Sequence, residues 1–258
     1  VGRDKGFDYT RSSNPTRQSL EQALAAIEGA AHCASFSSGM SAVDAVLRTF
    51  DSGAHIVSSD DVYGGVSRLF NTILTRHGFE FTYVDTSFPD RVAAAIRPNT
   101  KMVWIETPTN PLLKVSDVAA IAEVAHAHGI PLAVDSTFAT PALLRPLEWG
   151  ADIVMHSATK QLNGHADVLA GALITAQRDE PWERVTHDRG YRGAVLGPFE
   201  AWLLLRGMRT LFLRVPHSAT SAQRIADWLT QQSAVSEVFY PGLPTHPGHA
   251  LAARQMSG

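Results

Sequence analysis

Between Ala34 and Thr175 short apolar runs alternate with stretches of helical spacing, and this alternation limits the architecture more than any other feature of the chain. The runs are Ala54 to Ser58, Phe81 to Val84, Lys101 to Ile105, Leu132 to Asp135, Asp152 to Met155 and Gly171 to Thr175, each the length of a buried strand. Helical patterns lie between most of them. The clearest is expected to be capped by Ser116, to place Val118, Ile121, Ala122 and Ala125 on one face, and to stop at Gly129. Strands separated by helices pair side by side through crossovers, so the expected fold is α/β with a mainly parallel sheet covered on both faces.

The two ends read differently. Arg3 to Arg17 is polar, and Asn14-Pro15-Thr16 is expected to forbid regular structure. Gln18 to Glu28 then reads as a helix with Leu20, Leu24 and Ile27 on one buried face, ending at Gly29. An arm followed by an amphipathic helix suits a subunit boundary. Beyond Pro198, Trp202 to Leu213 is expected to be helical, and Pro216 to kink or break the pattern before Ile225 to Leu229 resumes it. Val235 to Tyr240 reads as a strand and Pro241-Gly242-Leu243-Pro244 as a turn. The chain is expected to begin mid-protein, since Val1 is not an initiator methionine, and to stop at the threshold of a further domain.

Composition excludes several function classes. Of 258 residues, 45% are hydrophobic and 18% charged, with a net charge of -3 and both signs dispersed, so there is no basic stripe for nucleic acid and no polybasic patch for lipid. No uncharged apolar run approaches the roughly 20 residues that span a bilayer. The single cysteine, Cys33, rules out a disulfide within the chain and a cysteine pair for a metal, and favours a reducing, cytoplasmic setting. His126 and His128 do not share a helix face, and His246 and His249 sit in a Pro/Gly turn without carboxylates, so no metal site is expected.

Chemistry concentrates where one apolar run ends: Asp152-Ile-Val-Met-His-Ser157-Ala-Thr159-Lys160. The carboxyl ends of strands are where open α/β sheets bind ligands. A lysine there either remains solvated or condenses with an aldehyde as a Schiff base. Ser157 and Thr159, on an extended segment, would point their hydroxyls the same way and jointly hold phosphate oxygens. Lysine, hydroxyls and phosphate together suggest pyridoxal 5'-phosphate. Asp135, ending a strand about one βαβ unit upstream, is either the carboxylate that keeps the cofactor's ring nitrogen protonated or a helix cap.

Phe36-Ser37-Ser38-Gly39-Met40 opens a helix whose first amides can cup a phosphate, or is a simple cap. Tyr63, in Asp61-Val-Tyr-Gly-Gly65, is either a ring that stacks on a flat cofactor or a half-packed turn residue. Glu106-Thr-Pro-Thr-Asn110-Pro111 is a polar loop at the same sheet edge. Asn110 there either bonds the ring oxygen or substrate carboxylate, or serves a rigid turn.

Taken in order, Tyr9-Thr-Arg11-Ser-Ser-Asn14-Pro15-Thr16, Ser37-Ser-Gly39-Met40, Asp61-Val-Tyr63-Gly-Gly65, Glu106-Thr-Pro-Thr-Asn110-Pro111, Asp135-Ser-Thr137 and Ser157-Ala-Thr159-Lys160 resemble the Cys/Met-metabolism (trans-sulfuration) family of pyridoxal-phosphate enzymes. The resemblance runs from about Tyr9 to the last residue. It implies fold type I, the aspartate aminotransferase-like fold, and places the cofactor at residues of these motifs. Lys160 would carry the aldehyde and shuttle protons, Asp135 would pair with the ring nitrogen, and Tyr63 would stack and assist. Gly39, Met40, Ser157 and Thr159 would hold the phosphate, with Thr137, Glu106 and Asn110 among the remaining contacts.

In this family residues matching Tyr9 and Arg11 reach a neighbouring subunit's phosphate, which implies a homodimer or homotetramer with shared active sites. The implied organisation is an arm and helix over 1–33, a large cofactor domain over 34–197, and connecting helices opening a C-terminal domain over 198–258. The family's C-terminal arginine for the substrate carboxylate has no counterpart here, and Arg206 and Arg209 are not promoted to that role. Methionine γ-lyases commonly carry a cysteine where this chain has Gly65, and Gly193-Ala-Val-Leu-Gly-Pro198-Phe is closer to the γ-enzymes. The expected activity is therefore that of a cystathionine γ-synthase, joining an O-acyl-homoserine to cysteine, or of a cystathionine γ-lyase. A β-lyase, a methionine γ-lyase-like enzyme, or a truncated non-catalytic cofactor binder are the alternatives.

Overall fold

The computed structural model describes residues 6–257, so the first five residues of the expected arm lie outside the described residues. Among the described residues one sheet forms from β1 (His32–Phe36), β2 (His55–Ser59), β3 (Glu80–Val84), β4 (Thr100–Glu106), β5 (Leu132–Asp135), β6 (Ile153–His156) and β7 (Gly171–Thr175). The spatial order is β1-β7-β6-β5-β4-β2-β3. The five strands from β3 to β6 run parallel, β7 turns antiparallel beside β6, and β1 pairs antiparallel with β7.

Around the sheet lie α1 (Pro15–Ile27), α2 (Gly39–Leu47), α3 (Gly64–Arg68), α4 (Pro89–Ala95), α5 (Val118–Ala127) and α6 (Thr140–Leu143). The second half of the chain adds α7 (Glu180–Arg192), α8 (Pro198–Met208), α9 (Leu211–Leu229) and α10 (His249–Gln255). The strands are continuously apolar because both faces are covered. Met102, Trp104, Ala133 and Met155 pack with α2 on one face, while Val103, Ile105, Leu132 and Val134 pack with α5 on the other. Burial of each of the valine, leucine, isoleucine and methionine side chains among them stabilises the fold by about 1.5–3 kcal/mol. The same alternation carries Glu106, Asp135 and Ser157, next in phase after Trp104, Ala133 and Met155, onto the α2 face at the carboxyl edge.

Several expectations are corrected. Asn14-Pro15-Thr16 starts a helix instead of forbidding one: the Asn14 side chain accepts from Thr16 N at 3.0 Å and Arg17 N at 3.2 Å, and Pro15 fills the first helical position, where its missing amide costs nothing. α5 is capped by Asp117, which accepts from Ala120 N at 3.1 Å; Ser116 is instead buried, with its hydroxyl 2.8 Å from Thr86 Oγ1. β1 had not been anticipated, because His32-Cys-Ala-Ser-Phe36 has little strand character of its own and is held by its register with β7.

At the other end, α9 runs through Pro216 without ending, and the proline lies on the exposed side of the helix. Val235 to Tyr240 is not a strand: it has no partner, and Tyr240 instead donates to Ala219 O at 3.3 Å on α9. Among the described residues no helix is long and apolar enough to cross a membrane.

Candidate active site

Asp135 is the best anchored polar group at the carboxyl edge. It is buried, and its Oδ1 accepts both the Thr137 hydroxyl at 2.6 Å and the Thr137 amide at 3.0 Å, an Asx turn and not a helix cap. Its Oδ2 accepts no bond among the described residues and is not fully sealed from solvent. The Thr137 hydroxyl also accepts the Ser157 amide at 2.8 Å, tying the end of β5 to the turn after β6. Ser157 in turn lies against the start of α2: a methyl group built on Gly39 would stand 3.0 Å from Ser157 Cβ and 3.1 Å from its Oγ.

From α2 the contacts continue to Tyr63. A side chain at Gly65 would collide with the Tyr63 ring and come within 3.1 Å of Met40 Sδ, so ring, glycine and sulfur occupy one corner. The Tyr63 amide donates to Glu106 Oε2 at 2.8 Å, and Glu106 is the register partner of Asp135 on the adjacent parallel strand. Asp135, Thr137, Ser157, Gly39, Met40, Tyr63 and Glu106 thus form a closed circuit around one patch of the sheet edge.

The electrostatics of that circuit are set by two buried carboxyls. Burial and the neighbouring Asp135 push Glu106 up to about 9, so Glu106 holds its proton at neutral pH. Burial also raises Asp135, but the two Thr137 bonds and the charge of His156 oppose it. Glu106 is thus held neutral, while Asp135 is raised as well, with the Thr137 donors favouring its ionised form.

Lys160 is exposed on a turn: its amide donates to Ser157 O at 3.1 Å and its carbonyl accepts Gly164 N at 2.7 Å. It lines an open cavity of about 880 Å³ with Thr159, Gln161, Asp167, Arg214 and His217; Asp135 is not among that cavity's lining. Because the chain turns from Ala158 onward, Ser157 and Thr159 do not sit on an extended segment. The Thr159 hydroxyl instead donates to Ala170 O at 3.1 Å and accepts Ala170 N at 3.0 Å. Asn110 is half-buried in a loop held by Asp61, which accepts from the Thr109 hydroxyl and, at 2.9 Å, from Leu112 N.

Tyr9 and Arg11 lie elsewhere on the same chain. The Arg11 guanidinium sits 5.2 Å from the Tyr9 ring centroid and donates to Gly190 O at 2.6 Å, both side chains being exposed. Buried Arg17 pins this segment by donating to Thr10 O at 2.9 Å and Arg11 O at 3.3 Å. The sequence reading missed three features of the site: the bridging role of Thr137, the buried pair of Glu28 and His156 behind β6, and Arg214. A histidine closing the apolar run Ile153-Val-Met-His156 was the one visible signal for the second.

The donor set fits a flat, anionic cofactor with a basic ring nitrogen. Asp135 offers an oriented carboxylate oxygen, the Tyr63 ring a stacking face, and the Gly39 and Met40 amides, unbonded among the described residues, a helix start for a phosphate.

Comparison with known proteins gives the same direction. The family model described as Cys/Met metabolism PLP-dependent enzyme matches residues 1–258. A probable cystathionine gamma-synthase of Herpetosiphon aurantiacus is 47% identical over all of this chain, which covers 81% of that protein. A cystathionine beta-lyase of Lactococcus lactis subsp. lactis is 48% identical over 257 residues, covering 67% of its length. The solved structure of a cystathionine gamma-lyase from Lactobacillus plantarum, complexed with L-serine, superposes with a TM-score of 0.97 at 41% identity, over all of this chain and 67% of that one. Three differently named activities thus stand at similar distance, and the chain spans between two thirds and four fifths of these relatives. The chain belongs to the Cys/Met metabolism family of PLP-dependent enzymes.

Proposed function

We propose that the chain forms the cofactor-binding part of a trans-sulfuration enzyme acting at the γ-carbon of an amino acid, a cystathionine γ-synthase or γ-lyase. The observation that carries this reading is the closed circuit from Asp135 through Thr137, Ser157, Gly39, Met40 and Tyr63 to Glu106. When bound, pyridoxal 5'-phosphate supplies an aldehyde for amino groups and a ring that withdraws electrons from the adjacent carbon.

In this reading the chain's own groups do the following. Asp135 Oδ2, whose carboxylate form is favoured by the Thr137 bonds to the other oxygen, holds a proton on the ring nitrogen. Glu106, neutral beside it, contributes no competing negative charge. The Gly39 and Met40 amides and Ser157 hold phosphate oxygens, with Thr159 fixing the turn that presents them. Tyr63 orients the ring from one side, and Asn110 reaches its oxygen. The Lys160 amine, on a mobile four-carbon stem, takes the proton from the substrate's α-carbon and returns it further along the chain. Tyr9 and Arg11 act on the phosphate of a neighbouring copy, in a homodimer or homotetramer. A cytoplasmic location fits a chain with one cysteine.

Product identification with the full-length protein tests the reading. Release of 2-oxobutanoate from cystathionine supports γ-elimination, and cystathionine formed from an O-acyl-homoserine and cysteine supports the synthase. Pyruvate would move the assignment to a β-lyase. Full activity in a Lys160→Ala variant would falsify it.

A further inference from the structure

We propose that Arg214, on α9, is a positioning residue for Lys160, holding the turn behind the lysine by its backbone carbonyls. The inference rests on the reading of Lys160 as the reactive amine. Its guanidinium donates from Nη1 to Gln161 O at 2.9 Å, and from Nη2 to Leu162 O at 3.4 Å and Gly207 O at 3.0 Å. Its Nε donates to Thr210 Oγ1 at 3.0 Å, which fixes the plane of the fork. One side chain thus bridges the two residues that follow Lys160 and the α8–α9 elbow.

The turn depends on that grip. Its own bonds are few: Lys160 N to Ser157 O, Asn163 N to Ala158 O, and Gly164 N to Lys160 O. The Gln161 and Leu162 carbonyls find their partner in Arg214. Space for the guanidinium comes from Gly164, whose φ of +72° suits glycine and where any side chain would collide with Arg214. Gly207 likewise lets the elbow approach the Asn163 carbonyl closely enough that a methyl group there would clash. One glycine thus clears room for the arginine, and the other for the close approach of the Asn163 carbonyl to α8. Arginine suits this task and lysine does not, because a planar fork serves several carbonyls at once. Removing it leaves half-buried carbonyls unpaired, and the lysine then samples positions from which its amine misses the reacting atoms.

The test uses the full-length protein with Arg214→Met, which keeps the aliphatic stem, and Arg214→Lys, which keeps one charged donor. Amide hydrogen exchange is followed without cofactor, together with the rate at which added pyridoxal 5'-phosphate develops its bound-state absorbance. Expected for Arg214→Met is at least about tenfold faster exchange at Asn163 and Gly164, with β5 amides unchanged, and a comparable slowing of the absorbance change. Arg214→Lys should fall between. With cystathionine or O-acyl-homoserine, kcat should drop while KM stays within about threefold.

Exchange and absorbance rates within twofold of wild type in both variants would overturn the inference. So would acceleration spread evenly over the sheet, since that marks general loss of stability. If Arg214→Met does not fold, Arg214→Lys alone decides by the same two criteria. Failure of the underlying reading is distinguishable, because it shows as an active Lys160→Ala protein whatever the Arg214 variants do.

Discussion

Glu106 and Asp135 share a register position on neighbouring parallel strands, both buried, and burial pushes both carboxyls up. The carboxyl of Glu106 keeps its proton to about 9 in the fold, against 4.5 ordinarily. Across that interval the unfolded chain binds fewer protons than the folded one, so stability falls as pH rises. The cofactor-free protein should lose resistance to urea steadily from about pH 5 to pH 9. Glu106→Gln, which copies the neutral form, should flatten this slope and keep cofactor affinity at neutral pH within about threefold. Parallel denaturation profiles for the two proteins would show the proton is not there.

Thr137 joins two strands through a single hydroxyl. In Thr137→Val the Ser157 amide loses its acceptor and Asp135 Oδ1 one of its two donors, a cost of about 1–3 kcal/mol. Thr137→Ser should restore most of it. Urea midpoints read the stability, and titration with pyridoxal 5'-phosphate should show weaker binding in the valine protein only.

Gly65 leaves room for the Tyr63 ring. Gly65→Ala forces the ring aside, at about 1–3 kcal/mol, and cofactor affinity should fall about tenfold. In a Tyr63→Ala background the same change should cost little. Equal losses in both backgrounds would mean the ring and the glycine are not coupled.

Behind β6, Glu28 at the end of α1 pairs with His156 where neither is exposed. Glu28→Ala leaves the histidine without its partner and should cost about 3–5 kcal/mol in thermal or urea unfolding, whereas Glu28→Leu with His156→Leu should recover most of that loss. A double variant no better than the single one would mean the pair supplies specific binding and not a balanced burial.

The central strands and the start of α2 were legible because local pattern and final environment agree there. Leu132-Ala-Val-Asp135 is apolar until the sheet edge and polar at it, so both strand and site residue could be read together. β1 was not legible: nothing in His32-Cys-Ala-Ser-Phe36 declares a strand until β7 supplies the other half of the ladder. The opposite failure befell Val235 to Tyr240, whose pattern promised a strand that no neighbour completes. Of the site, the motif residues could be named, but Thr137 and Arg214 act through backbone atoms of distant residues. Such bonds leave no trace in residue type or spacing.

Pro216 brings no amide to the carbonyl of Phe212, and it does so two residues past Arg214 in a helix that otherwise continues to Leu229. Unwinding that starts at the far end of α9 meets a ready-made break there and gains nothing by going further, since the next turn is bolted to the Lys160 loop. The proline is thus expected to act as a firebreak, with amide exchange faster beyond it than in the turn that carries Arg214.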